Sequence, residues 1–286
     1  SQANTEDPSE GVLADLALLG DEVGSFNVWE AFGELRAPIL ADTPFAHRLE
    51  IGAAIRYSDY STIGSTTTWK VDGLWAPIRD ISLRGSYSEA VRAPNVTELF
   101  APTAGTFSFL SDPCSPINVN SGAPVRAANC RALIEGLGVD FDSFDFDNDI
   151  ASSASLPGTA TGNPALAAEK ARTWTAGVVL SPSFIPRLSL SLDWYDIRLK
   201  GAINTATLAE TAQFCVDAPT LANDFCENIT RSTETGFVTG YILRPENVAF
   251  FETAGRDLPV TYLAEGGSWG SFAFRGRAGH LDKLNF

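Results

Sequence analysis

Along most of the chain, apolar and polar residues alternate with a period of two, the signature of strands with one apolar face. In "HRLEIGAAIRYSDY", Leu49, Ile51, Ala53, Ile55 and Tyr57 fall on one side, and Arg48, Glu50, Gly52, Ala54 and Arg56 on the other. "TWKVDGLW" sets Trp69, Val71, Gly73 and Trp75 against Lys70, Asp72 and Leu74. "ISLRGSYS", "RTWTAGVVL", "RLSLSLDW" and "SFAFRGRAG" alternate in the same way, and weaker strands cover about 24–38 and 247–264. The pattern predicts hairpins 24–38/46–60, 66–77/80–91, 171–181/186–200 and 247–264/270–283.

The connections differ in kind. "ADTPFA" (41–46), "APIRD" (76–80) and "SPSFIPR" (181–187) are short and carry proline, whereas 91–170 and about 200–240 are long. A soluble sandwich predicts shorter strands with turn signals every 8–12 residues or so. Long strands, tight turns at one end and large loops at the other predict an all-β fold, an antiparallel transmembrane β-barrel present in part. Its short turns would be periplasmic and its long loops extracellular, with short helices in the loops. Trp69, Trp75, Tyr87, Trp174 and Trp194 lie towards strand ends on the apolar face, where aromatic girdles sit. A soluble sheet with one buried face alternates identically, so a soluble extracellular binding module stays open.

Within the loops, "PVRAANCRALIEGLG" (124–138) predicts a short amphipathic helix with Val125, Cys130, Leu133 and Leu137 on one side. "TATLAETAQFCVDA" (205–218) predicts another. Cys114, Cys130, Cys215 and Cys226 form two sequence-local pairs without zinc spacing, read most simply as two disulfides formed in an oxidising compartment.

Composition narrows the function. The chain of 286 residues carries 20 basic and 35 acidic residues, a formal net charge of −15, which argues against a nucleic-acid partner. Charged residues make up only 19%, below the roughly 25% of ordinary soluble domains. There is no apolar run long enough for a membrane helix, no signal-peptide pattern at the start and no methionine. The expectation is a mature form, a fragment, or a chain from which parts are missing.

At "LRGSYSEAVRAPNVTELF" the residues carry a resemblance. It is similar to the strand-and-loop signature of TonB-dependent outer-membrane receptors, a strand running into R-A-P-x-x-x-E-L-F, here Arg92, Ala93, Pro94, Glu98, Leu99 and Phe100. "FNVWEAFGELRAPIL", the stretch from "LEIGAAIRY" to "SLRGSYS", "EKARTWTAGVVLSPSFIPRLSLSLDWYDIRLKGAI" and "FCENITRSTETGFV" resemble further parts of that family in order. The resemblance implies a barrel of roughly twenty-two strands around a plug domain. It implies a receptor in the outer membrane of a Gram-negative bacterium, taking up a scarce nutrient such as a siderophore, cobalamin or oligosaccharide. Its implied partners are that nutrient, outer-membrane lipid, and TonB reached through a plug. No plug, TonB-box segment or final strands are recognised, so residues 1–286 are expected to be part of one barrel domain, with ligand contacts on 91–170 and 200–240. A passive porin- or adhesin-like barrel is the alternative.

Two local features bear on chemistry. In "VDFDSFDFDNDI", Asp140, Asp142, Asp145, Asp147 and Asp149 crowd one loop, and carboxylates at D-x-D spacing can hold a hard cation such as Ca2+; the glycine and glutamate of an EF-hand are absent. A solvated acidic loop has the same composition, and no cofactor is otherwise required. Arg92 is expected to pair with a carboxylate at the barrel wall or rim. With two histidines and no G-x-S-x-G, H-E-x-x-H or phosphate loop, the expectation is not an enzyme.

Overall fold

The computed structural model describes residues 22–143 and 155–285. They form two compact units. The strand unit takes Phe26–Pro94, Ala167–Ile203 and Asn247 onward, and the loop unit takes residues up to Ser25, Asn95–Leu166 and Asn204–Glu246.

In chain order the elements begin with β1 (Val28–Thr43), β2 (Ala46–Tyr60), β3 (Gly64–Ile78) and β4 (Ile81–Arg92). Helix α1 (Val96–Phe100), β5 (Ala104–Ser108), α2 (Arg126–Gly136) and β6 (Leu156–Ala160) follow. Then come β7 (Glu169–Leu180), β8 (Leu188–Thr205), α3 (Leu208–Asp217) and α4 (Asp224–Glu227). The last are β9 (Ile229–Arg231), β10 (Val238–Leu243), β11 (Pro245–Glu265) and β12 (Ser271–Asn285).

In the strand unit, eight strands pair in the order β1-β2-β3-β4-β7-β8-β11-β12, and the pairs from β1 to β8 and the pair β11/β12 are antiparallel. All four expected hairpins are present. β1 and β12 are the edge strands among the described residues, so the sheet is not closed. β1 runs on to Thr43 instead of ending near Pro38, with a register shift between Pro38 and Leu40. Proline lacks a backbone donor and is tolerated on an edge strand or at a bulge, and Pro38 meets both conditions.

The register separates the faces. Ile55 lies opposite Trp69, Val71 opposite Tyr87, and Tyr87 opposite Trp174, all on the apolar face. There Ile51, Ile55, Val71 and Trp174 are exposed. A soluble sheet would cover such a face; lipid covers it in a membrane barrel. Aromatic rings meet across strands: Trp69–Tyr87 centroids are 5.0 Å apart and Tyr87–Trp174 4.3 Å. The other face carries ion pairs. Arg84 holds Asp193 through two bonds of 2.8 and 2.7 Å, and Arg48 holds Glu50 at 2.8 and 2.9 Å. Two strand glycines make room for such carboxylates. A Cβ on Gly177 would sit 2.0 Å from Asp193 Oδ1, and one on Gly52 would sit 2.8 Å from the Asp72 carboxylate.

The loop unit holds a second sheet, β5-β6-β10-β9, where no strands were expected. Its strands are too short to show a period. One cluster joins Leu110, Leu156, Leu208, Ala212, Val238 and Tyr241, and a second forms around the four cysteines and Val216. None of the described helices is long and apolar enough to cross a membrane, which says nothing of strands.

Candidate functional site

The expected receptor motif is assembled from local geometry. On the strand side, Arg92 ends β4 directly opposite Glu169 at the start of β7. Arg92 Nε–H and Nη2–H donate to the Glu169 carboxylate at 2.6 and 2.7 Å. Glu169 Oε1 also accepts the Ile203 N–H at 2.7 Å, so one buried carboxylate ties β4, β7 and β8 at their loop-bearing end. The arginine fork suits this bidentate role better than a lysine point charge would.

On the loop side, Asn95 and Glu98 form a reciprocal capping box that starts α1. Glu98 N–H donates to Asn95 Oδ1 at 2.8 Å, and Asn95 N–H to Glu98 Oε2 at 2.7 Å. Leu99 is 1% exposed. Phe100 covers Gly24, where a Cβ would meet its ring at 2.5 Å. The chain returns against α1 through Asn163 N–H to Glu98 O at 2.8 Å and Gly162 N–H to Ala101 O at 2.9 Å. Gly162 is required there: a Cβ would lie 2.6 Å from Ala101 N and 2.8 Å from Leu99 C, both backbone.

Cross-links and buried ion pairs hold the rest of the loop unit. Cys114 is bonded to Cys130 and Cys215 to Cys226, the two local pairs expected. Of the expected apolar side of α2, Cys130 is buried, Leu133 packs half-buried against the cysteine cluster and Leu137 is half-buried, whereas Val125 is exposed; Arg126 and Ile134 are buried as well. Arg126 turns inward because Asp217, at the end of α3, accepts its Nε–H at 2.6 Å. That guanidinium holds the Asp217 carboxyl below the usual carboxylate range, with the Ala123 N–H assisting against partial burial. Asn129 donates to the carbonyls of Val216 and Ala218 at 2.9 and 2.8 Å, satisfying groups at the C-terminal end of α3. Thr207 caps the other end; its N–H, followed by its hydroxyl, lowers the pKa of Glu210. Deepest of all, Arg231 Nη1–H and Nη2–H donate to Asp112 at 2.7 and 2.9 Å.

Among the described residues, a cleft in the loop unit lined by Leu133, Leu137, Ala212 and both Cys215 and Cys226 measures only about 90 Å³. Ligand pockets for drug-sized molecules run to roughly 300 Å³ or more, so this is a packing gap. Large apolar side chains are exposed elsewhere on the unit: Phe107 and Phe109 at β5, Ile117, and Phe214 beside Phe225.

Of the expected cation ligands, Asp145, Asp147 and Asp149 lie outside the described residues. Asp140 accepts the Asp142 N–H at 3.2 Å, and Asp142 is engaged by Arg131 at 2.6 Å. Among the described residues no three His, Cys, Asp or Glu side chains converge as a metal site.

With this geometry in place, the family model "TonB dependent receptor-like, beta-barrel" matches residues 3–256, most of the chain. The chain belongs to this family. No curated protein matches it. Among solved structures it is similar to the siderophore receptor PirA from Acinetobacter baumannii, with 14% identity and a TM-score of 0.54 over 90% of this chain. It is equally similar to the ferric enterobactin receptor PfeA of Pseudomonas aeruginosa, a Q482A mutant in complex with enterobactin, at 14% identity, a TM-score of 0.54 and 90% coverage. At these identities the likeness is one of fold. The chain spans 28% of the PirA structure and 27% of the PfeA structure. For this TonB-dependent receptor barrel the motif residues have structural roles: Arg92 ties strands, Glu98 caps α1, and Leu99 and Phe100 pack.

Sequence reasoning missed Glu169, Asp112, Arg231 and Asp217, whose partners lie far along the chain. It also missed a charged group beyond the aromatic girdle on the apolar face. Its signal was present in "KARTW" and "WYDIRLK", where charges continue the apolar spacing past Trp174 and Trp194.

Proposed function

We propose that this chain is part of the barrel domain of an outer-membrane receptor that binds a ferric siderophore on its outer loops and imports it by TonB-coupled transport. The observation that carries the reading is the family match across residues 3–256. Fold neighbours described as siderophore and ferric enterobactin receptors support the ligand class. The strand unit supports a membrane role, with exposed large apolar residues on one face and ion pairs on the other. The loop unit supports a receptor role: two disulfides and buried ion pairs pre-order a surface bearing Phe107 and Phe109. Pre-ordering lowers the entropic cost of ligand capture.

The test is binding of a panel of ferric siderophores to the intact purified receptor, read by tryptophan quenching. The reading expects one chelate class to bind, and F107A/F109A to weaken it by about tenfold or more, as loss of aromatic anchors does. Absence of binding across hydroxamate, catecholate and citrate-type chelates would contradict the ligand class.

A further inference from the structure

We propose that the loop-bearing end of the apolar face on β4, β7 and β8 binds the phosphate-bearing headgroup of an outer-leaflet lipid. The inference rests on the membrane reading given above. Along β7 this face carries Leu180, Val178, Ala176 and Trp174, then Arg172 and Lys170. Along β8 it carries Leu190, Leu192 and Trp194, then Asp196, Arg198 and Lys200. On β4, Tyr87 is followed by Glu89. The order apolar, aromatic, charged is that of hydrocarbon, headgroup and water.

Here the strands form an open cleft of about 810 Å³ whose lining includes Tyr87, Trp174 and Trp194 as well as the charged side chains. The register places Lys170 directly opposite Lys200, and Arg172 directly opposite Arg198. Like charges facing one another across strands are destabilising, and this sheet stacks two such pairs. The arginines have partners. Arg172 donates to Glu89 at 3.1 Å and Arg198 to Asp196 at 3.0 Å. Glu252, 3.9 Å from Arg198, is itself held by Lys283. The lysines differ: among the described residues neither has a carboxylate within ion-pair distance. In a chain of net charge −15, a facing pair of unneutralised ammonium groups is complementary to one divalent anion.

A phosphomonoester between Lys170 and Lys200 relieves their repulsion, with the two arginines behind it. The aromatic floor identifies a lipid over free phosphate. Trp174, Trp194 and Tyr87 offer the glycerol or sugar and upper acyl carbons an amphipathic contact that inorganic phosphate does not use.

The test is native mass spectrometry of the intact receptor released from phosphatidylcholine nanodiscs doped with phosphatidic acid of the same acyl chains. Phosphatidic acid is expected to be retained over phosphatidylcholine. K170Q/K200Q is expected to weaken retention about tenfold to thirtyfold, from the loss of two surface cations. K170R/K200R keeps the charge and should retain the lipid; K70Q, on the ion-paired face, should leave retention unchanged. Absence of preference in the unaltered receptor, or equal retention by K170Q/K200Q, overturns the proposal. Complete displacement by an equal concentration of inorganic phosphate overturns the lipid assignment. Ferric-siderophore binding measured on K170Q/K200Q separates the readings: its presence with lipid lost supports both, and its absence in every form overturns the transport reading without touching the lipid result.

Discussion

Replacing Asp112 by alanine removes the carboxylate that holds Arg231 in the interior of the loop unit. Asp112 is 1% and Arg231 5% exposed at the side chain. Oδ1 accepts the Cys114 N–H at 2.8 Å and Arg231 Nη2–H at 2.9 Å, while Oδ2 accepts Nη1–H at 2.7 Å. Truncation leaves a buried guanidinium that still donates to the Gly236 carbonyl at 3.0 Å but has lost its carboxylate. Breaking a buried pair by removing one partner costs about 3–5 kcal/mol. At 1.4 kcal/mol per decade this is roughly a hundredfold to a few thousandfold in local opening, capped by the unit's own stability. The assay is hydrogen exchange of the intact receptor, read on peptides covering β9, β10 and the segment around Cys114. Their protection should fall by that factor in D112A while the strand unit is unchanged. D112A/R231M should recover much of it, since replacing both partners with apolar groups is often near neutral. Unchanged protection in D112A, or a double variant no better than the single, would show that the Asp112–Arg231 pair does not hold the loop unit together.

Reducing the Cys114–Cys130 and Cys215–Cys226 bonds should release about 3 kcal/mol of constraint per loop. Limited proteolysis should then cut within 95–166 and 204–246 while the strand unit resists. E169A should lower the thermal midpoint of the detergent-solubilised receptor, because it removes two charge-assisted bonds to Arg92 and one to Ile203 N–H. The cost is about 1–2 kcal/mol, moderated by the partial exposure of Arg92; R92K should lose part of it, and no shift would be contrary. Asp217 has a folded pKa below its ordinary value of 3.8. Its contribution is therefore full above that value and is lost as pH falls through the lower folded one. Near-UV circular dichroism of the loop unit in the intact receptor should show acid loosening in that range, with a shallower acid dependence in D217N.

The strands were legible because a sheet with unlike faces writes a period of two over ten or more residues, and the loop asymmetry followed from their spacing. The first strand was expected to end at about residue 38, and nothing local reveals that β1, an edge among the described strands, carries on through Pro38 to Thr43. The loop sheet escaped because β9 has three residues and β5 and β6 five each, too few to show a period. The buried face of α2 was only partly legible, for a different reason. Arg126 counts as polar in any hydrophobic pattern, and only Asp217, 91 residues away, makes its burial favourable. Cysteine pairing was readable because both partners are local. The partner of Arg92 needed the register of strands joined by a long connection, and the facing of Lys170 and Lys200 needed the exact register across a short one. Arg92 was expected to find a carboxylate, but Glu169 lies 77 residues on.

Iron transport in cells tests the proposed energised uptake through an outer-membrane receptor. Radioiron uptake from the cognate ferric siderophore would be measured in cells carrying the intact receptor, in cells lacking it, and in cells treated with an uncoupler of the inner-membrane proton gradient. Uptake should disappear with the receptor and with the uncoupler, while siderophore binding at the cell surface should survive the uncoupler. Receptor-dependent uptake that continues at an undiminished rate in uncoupled cells would contradict energised uptake and identify a passive channel.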